Sequence, residues 1–164
     1  MKKKIKHSRR SRSGQVAGDY DGEINNKNLP HGKGKCIFED GLVYNGSWVN
    51  GKREGVGKMT FPNNDYYEGE WKNDAPNGKG EHSIGGEYYK GDFVEGNRHG
   101  KGTYKWSQEK TKYVGEFKNN CKDGFGKYYE KDTVYEGEWK NDTRYGKGKI
   151  TLKEGSAISG FFNH

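Results

Sequence analysis

The chain has 164 residues, enough for one ordinary domain, but only 28% are hydrophobic and 32% are charged, a balance that excludes a globule built on an aliphatic core. Aromatics at 14% and 27 glycines also separate it from a disordered chain, because each ring can bury about 150–250 Å². The net charge of +7 comes from the start of the chain, where Lys2, Lys3, Lys4, Lys6, Arg9, Arg10 and Arg12 stand without an acid; the other 23 basic residues match the 23 acidic ones. A neutral body lacks the basic stripe of a nucleic-acid-binding face, so nucleic acid is not expected as a partner.

Residues 1–18 read as a basic, disordered tail, too poor in apolar groups to fold alone. Its seven cations are candidates for an electrostatic tether to an anionic membrane surface, each worth about 1 kcal/mol beside an anionic leaflet and less at physiological salt. No apolar run follows the basic start, so no signal peptide is expected. Cys36 and Cys121 stand in no paired or metal-binding spacing. Together these predict a reduced, cytoplasmic protein.

From residue 20 onward the chain repeats itself. Tyr20-Asp-Gly-Glu-Ile24 is followed by Gly32-Lys-Gly34, Tyr44-Asn-Gly-Ser-Trp48 by Gly55-Val-Gly57, and Tyr67-Glu-Gly-Glu-Trp71 by Gly78-Lys-Gly80. Tyr89-Lys-Gly-Asp-Phe93 leads to Gly100-Lys-Gly102, Tyr113-Val-Gly-Glu-Phe117 to Gly124-Phe-Gly126, and Tyr135-Glu-Gly-Glu-Trp139 to Gly146-Lys-Gly148. A partial copy, Ile158-Ser-Gly-Phe-Phe162, closes the series, and the lead residues are 22 to 24 apart throughout. So narrow a period marks a repeat architecture.

Each copy predicts a β-hairpin. In Tyr67-Glu-Gly-Glu-Trp71 the apolar positions alternate with acids, so the rings share one face and the charges the other. A second alternating run follows each Gly-x-Gly, as in Cys36/Phe38, Met59/Phe61, Tyr104/Trp106 and Ile150/Leu152. Turn formers such as Asn50-Gly51, Glu95-Gly96 and Asn119-Asn120 separate the strands. The central glycine of each Tyr-x-Gly-x-Trp is expected to make room for a ring from the adjoining strand, and the Gly-x-Gly pair to let the sheet curve. The expected fold is all-β, an elongated, twisted single-layer antiparallel sheet of repeated hairpins. Residues 19–164 would form this domain, with a stretched first copy, extended by Asn25 to Leu29, acting as a cap.

Catalytic chemistry has no carrier in this pattern. Gly46-Ser-Trp-Val-Asn-Gly51-Lys52 imitates a phosphate-binding loop, but Arg53 follows where Ser or Thr would hold Mg²⁺. His31 and His99 recur at one repeat position, just before Gly-x-Gly, and read as turn residues. No catalytic residue, metal site or cofactor is expected, and the chain is not read as an enzyme.

The repeats resemble the MORN motif, the membrane occupation and recognition nexus, in six copies plus a fragment. Ile24, and Phe93, Phe117 and Phe162 in place of Trp, depart from that motif while keeping bulk. The layout is also similar, more loosely, to radial-spoke head proteins of this family. The resemblance implies a scaffold at cytoskeletal structures, cilia or membrane contacts, and an aromatic groove that receives a partner peptide or helix. The expected partner-binding rings are Tyr44, Trp48, Tyr67, Trp71, Tyr89, Phe93, Tyr113, Phe117, Tyr135 and Trp139. The rival reading is a peripheral module that binds anionic phospholipid through the tail, and open sheet edges offer a third contact, self-association.

Overall fold

The computed structural model describes residues 18–108 and 110–162, together with the backbone of residues 2–6. The chain forms two compact units, residues 1–82 and 83–164. Every regular element among the described residues is a β-strand. The first unit holds β1 (Lys2–Lys6), β2 (Gly18–Ile24), β3 (Pro30–Phe38), β4 (Val43–Val49), β5 (Lys52–Thr60), β6 (Tyr66–Lys72) and most of β7 (Ala75–Ile84). The second holds β8 (Glu87–Val94), β9 (Asn97–Trp106), β10 (Thr111–Lys118), β11 (Cys121–Tyr129), β12 (Thr133–Lys140), β13 (Thr143–Leu152) and β14 (Ala157–Phe162). In each unit the strands form a single-layer antiparallel meander, every strand hydrogen-bonded to its neighbours in the chain.

Two-residue turns close the hairpins. Asn50 and Gly51 have φ of 48° and 83°, and Asn119 and Asn120 have 48° and 70°. Positive φ at both positions matches a type I′ turn, whose twist suits the strands it joins. The register then slips within each hairpin, between Gly46 and Trp48 in β4 and between Gly115 and Phe117 in β10. The extra residues fall at the first glycine of Gly-x-Gly, and such bulges bend a strand and raise its twist.

The core lies on one face of each sheet. In the first unit Tyr44 meets Trp48 and Trp71 edge-to-face, with centroids 4.9 and 5.2 Å apart. In the second unit Tyr113 meets Phe117 and Trp139 in the same way at 5.0 and 5.5 Å. Each such tyrosine therefore holds the Trp or Phe of its own repeat and that of the next, and each contact adds about 0.5–1.5 kcal/mol beyond burial alone. The hydroxyls of Tyr20, Tyr44, Tyr67, Tyr89, Tyr113 and Tyr135 each donate to the main-chain carbonyl three residues ahead, at 2.5–2.9 Å.

The structure moves the ring's seat from the central glycine of the motif to its cross-strand partner. The ring lies against the second glycine of Gly-x-Gly, so a methyl at Gly102 would fall inside the Tyr89 ring. The central glycine of the motif packs backbone on backbone instead, Gly91 against the Cα of Gly102. Carboxylates on the other face are also less free than alternation implies. Asp92 and Glu138 accept the N–H groups of Lys101 and Lys147 at 3.1 and 3.0 Å, within the Gly-x-Gly segments.

The domain boundaries rest largely on residues outside those described. Within the expected disordered tail, however, the backbone of Lys2–Lys6 forms β1. Its register sets Lys2, Lys4 and Lys6 opposite Glu23, Asp21 and Asp19.

Gly102→Ala should lower stability by about 1–3 kcal/mol in urea unfolding, because the ring beside it has nowhere to go. Gly160→Ala, at the central glycine of the closing partial motif in β14 and with no atom within 4 Å of the new methyl, should stay within about 0.5 kcal/mol of the parent chain.

Candidate functional site

The ring face carries a cation in most hairpins, two residues beyond the turn. Arg53, Arg98, Lys122 and Arg144 all follow this rule, and the ladder sets them opposite Trp48, Phe93, Phe117 and Trp139. Pro76 takes the same place after the Asn73-Asp74 turn. The sequence reading passed over these cations, although their spacing from the turn was visible.

Their heads lie over the rings. The guanidinium carbon of Arg53 is 4.9 Å from the Trp71 ring centre, that of Arg98 is 5.0 Å from Tyr104, and that of Arg144 is 4.6 Å from Tyr135. Lys122 sits in a box of four rings, with Nζ at 5.0 Å from Trp139, 5.2 Å from both Trp106 and Tyr128, and 5.9 Å from Tyr113. Cation–π attraction of about 0.5–2 kcal/mol per contact offsets part of the cost of burying these charges. Burial nevertheless lowers the Lys122 pKa, and Arg144 nearby lowers it further against the opposing pull of Asp142.

Counter-charge is unevenly supplied. In the first unit Arg53 Nε meets the Asp74 carboxylate at 3.1 Å, and Nη2 donates to the Asp74 carbonyl at 2.9 Å. In the second unit Asn120 occupies the equivalent turn position. It accepts the Arg98 N–H on Oδ1 at 2.9 Å and an Nη2 hydrogen on its carbonyl at 2.8 Å. The amide brings no charge, and Arg98 Nε is buried without an acceptor.

All ten rings expected to bind a partner lie on this face, at most 6% exposed. They pack first against one another. Beside Lys122 the aromatic surface still open belongs to Trp106 and Tyr128, which are half-buried and 5.8 Å apart between ring centres. Of the expected tether, Lys2, Lys3, Lys4 and Lys6 fall in β1, while Arg9, Arg10 and Arg12 lie outside the described residues.

The other motifs resolve into structure. His31 Nδ1 accepts the Asn50 N–H at 3.2 Å, bracing a turn. The phosphate-loop mimic, residues 46–52, runs from β4 through a turn into β5 and opens no helix. Glu130, a break in the ring pattern, accepts from the Thr133 hydroxyl at 3.1 Å across the loop that joins β11 to β12. Among the described residues no group of three or more His, Cys, Asp or Glu is placed to hold a metal ion.

Burial raises the pKa of Tyr44 and Tyr104 to about 12 and of Cys36 to about 11. The Tyr104 hydroxyl also donates to Glu87, which adds to its shift. Folded, these groups hold their protons more tightly than unfolded, so the unfolded state binds fewer protons at high pH and stability falls as pH rises. Thermal unfolding followed by Trp fluorescence should show a constant midpoint near neutrality and a steady loss from about pH 9 to about pH 12; a flat profile across that window would contradict the buried, donating tyrosines.

Comparison with known proteins follows the same lines. The profile of the MORN repeat family matches residues 20–43, 44–66, 67–83, 89–109, 113–132 and 135–157. No curated protein matches the chain in sequence. Among solved structures, the chain is similar to the SAS-4 (dCPAP) TCP domain of Drosophila melanogaster, solved in complex with a proline-rich motif of Ana2 (dSTIL). That likeness has a TM-score of 0.53 at 10% identity and covers 98% of this chain and 90% of that one, which makes it a likeness of fold. None of these matches bears on the looser similarity to radial-spoke heads.

Proposed function

The chain belongs to the MORN repeat family, and on that footing we propose that it is a non-catalytic scaffold that binds a segment of another protein along its ring face. The assembly it serves would be cytoskeletal, ciliary or membrane-associated, as the family resemblance implies. The observation that carries the reading is the open aromatic pair Trp106 and Tyr128, set beside Lys122 on a floor of buried rings. Half-buried aromatics on a rigid base lose little entropy on binding, which is why such side chains dominate recognition surfaces. The buried rings of the second unit then fix the shape of the floor, and the pair above them makes the contact.

The SAS-4 TCP domain, solved with a proline-rich motif, supports an extended protein ligand for a sheet of this kind. Proline-rich segments arrive preformed and dock between aromatic rings. Lipid binding through the tail is the lesser reading, because β1 sets three of the tail lysines opposite acids of β2.

A panel of proline-rich peptides titrated against the full chain, read by Trp fluorescence, tests the proposal. Trp106→Ala should weaken the best binder by about tenfold or more, while Phe125→Ala, exposed on the opposite face, should leave it unchanged. Equal binding by a folded Trp106→Ala chain would remove the ring face as the site.

A further inference from the structure

Three cations of the second unit, Arg98, Lys122 and Arg144, occupy equivalent places in successive hairpins and reach the same face. Among the described residues none of the three has a carboxylate within ion-pair distance. The acids that do approach are otherwise engaged. Asp142 accepts the Lys122 main-chain N–H at 2.7 Å, and Glu87 takes the Tyr104 hydroxyl. Arg144 stands close enough to Lys122 to disfavour its charge, and Arg98 keeps a buried N–H without an acceptor. A row of part-buried cations without ion pairs is a place that an anionic ligand would complete.

Resting on the proposed ring-face site, we infer that its ligand is an acidic, extended protein segment that crosses the strands with a carboxylate at every third residue. The spacing follows from the fold. Each hairpin advances the face by two strands, about 10 Å at the usual inter-strand distance. An extended or polyproline chain advances about 3.1–3.4 Å per residue, so three residues span one hairpin. Successive carboxylates would then meet Arg98, Lys122 and Arg144 in turn, with the intervening residues over Trp106 and Tyr128. Arg53 shows the arrangement an anion would complete, since Asp74 already gives it the carboxylate that Asn120 withholds from Arg98.

Fluorescein-labelled (Glu-Pro-Pro)4 and (Gln-Pro-Pro)4 peptides, titrated with the full chain and followed by anisotropy, test this. The Glu peptide should bind about tenfold tighter or more, and Asn120→Asp should weaken it about fivefold while leaving the Gln peptide unaffected. Asn120→Asp keeps the turn geometry seen at Asp74, so loss of folding is not the expected cause. Equal affinity for the two peptides, both lost in Trp106→Ala, would overturn the acidic ligand while leaving the ring-face reading intact. Binding of neither peptide would remove both. Preference for a helical peptide with Glu at every seventh residue would overturn the extended conformation.

Discussion

A single-layer sheet has no second layer to bury its face against, so the rings of that face must cover one another. Tyrosine edges supply the cover. Tyr44 and Tyr113 each bridge the Trp or Phe of two repeats and are fully buried. Their hydroxyls close on carbonyls of their own strand, so a polar group enters the core with its hydrogen bond satisfied. The glycines follow from this. The chain can place a ring against the neighbouring strand only where that strand has no side chain, as at Gly57 and Gly126.

Cations act as the missing layer. Arg53, Arg98, Lys122 and Arg144 lay their apolar stems and charged heads across the rings, which shields aromatic surface while keeping it soluble. Where the turn supplies an acid, as at Asp74, the layer is electrically closed. Where it supplies Asn120, the same geometry persists without the charge. In the proposed function the same face would serve both stability and recognition, and the charge left at Arg98 is set by a turn residue rather than by the rings.

The ring positions read most easily from the sequence are also the most deeply buried. Trp71 and Tyr89 recur with the period because the fold needs them, and the fold buries them. Trp106 and Tyr128 stand outside the Tyr-x-Gly-x-Trp core, on the second strand of their hairpins, and remain half-buried. Recognition surfaces arise where the repeat is free to vary.

The sequence by itself determined the strands of the repeats, their pairing in chain order, the turns and the side on which the rings lie. These follow from alternation, from the period of 22 to 24 residues and from Asn-Gly and Asn-Asn pairs, all local signals that need no distant partner. Only the tertiary structure decided which rings stay accessible, which glycine faces a tyrosine, and that lysines in a presumed free tail lie opposite Asp19 and Asp21. The bulge within each hairpin shifts the register between its strands, and a shift of that kind is set by packing between strands, which no residue's own neighbours in the chain can specify. The charge of the ring face was decided in the same way, because an arginine two residues past a turn is a solvated cation in the sequence and becomes part of the core's cover only when folding brings rings of its own or the next repeat beneath it.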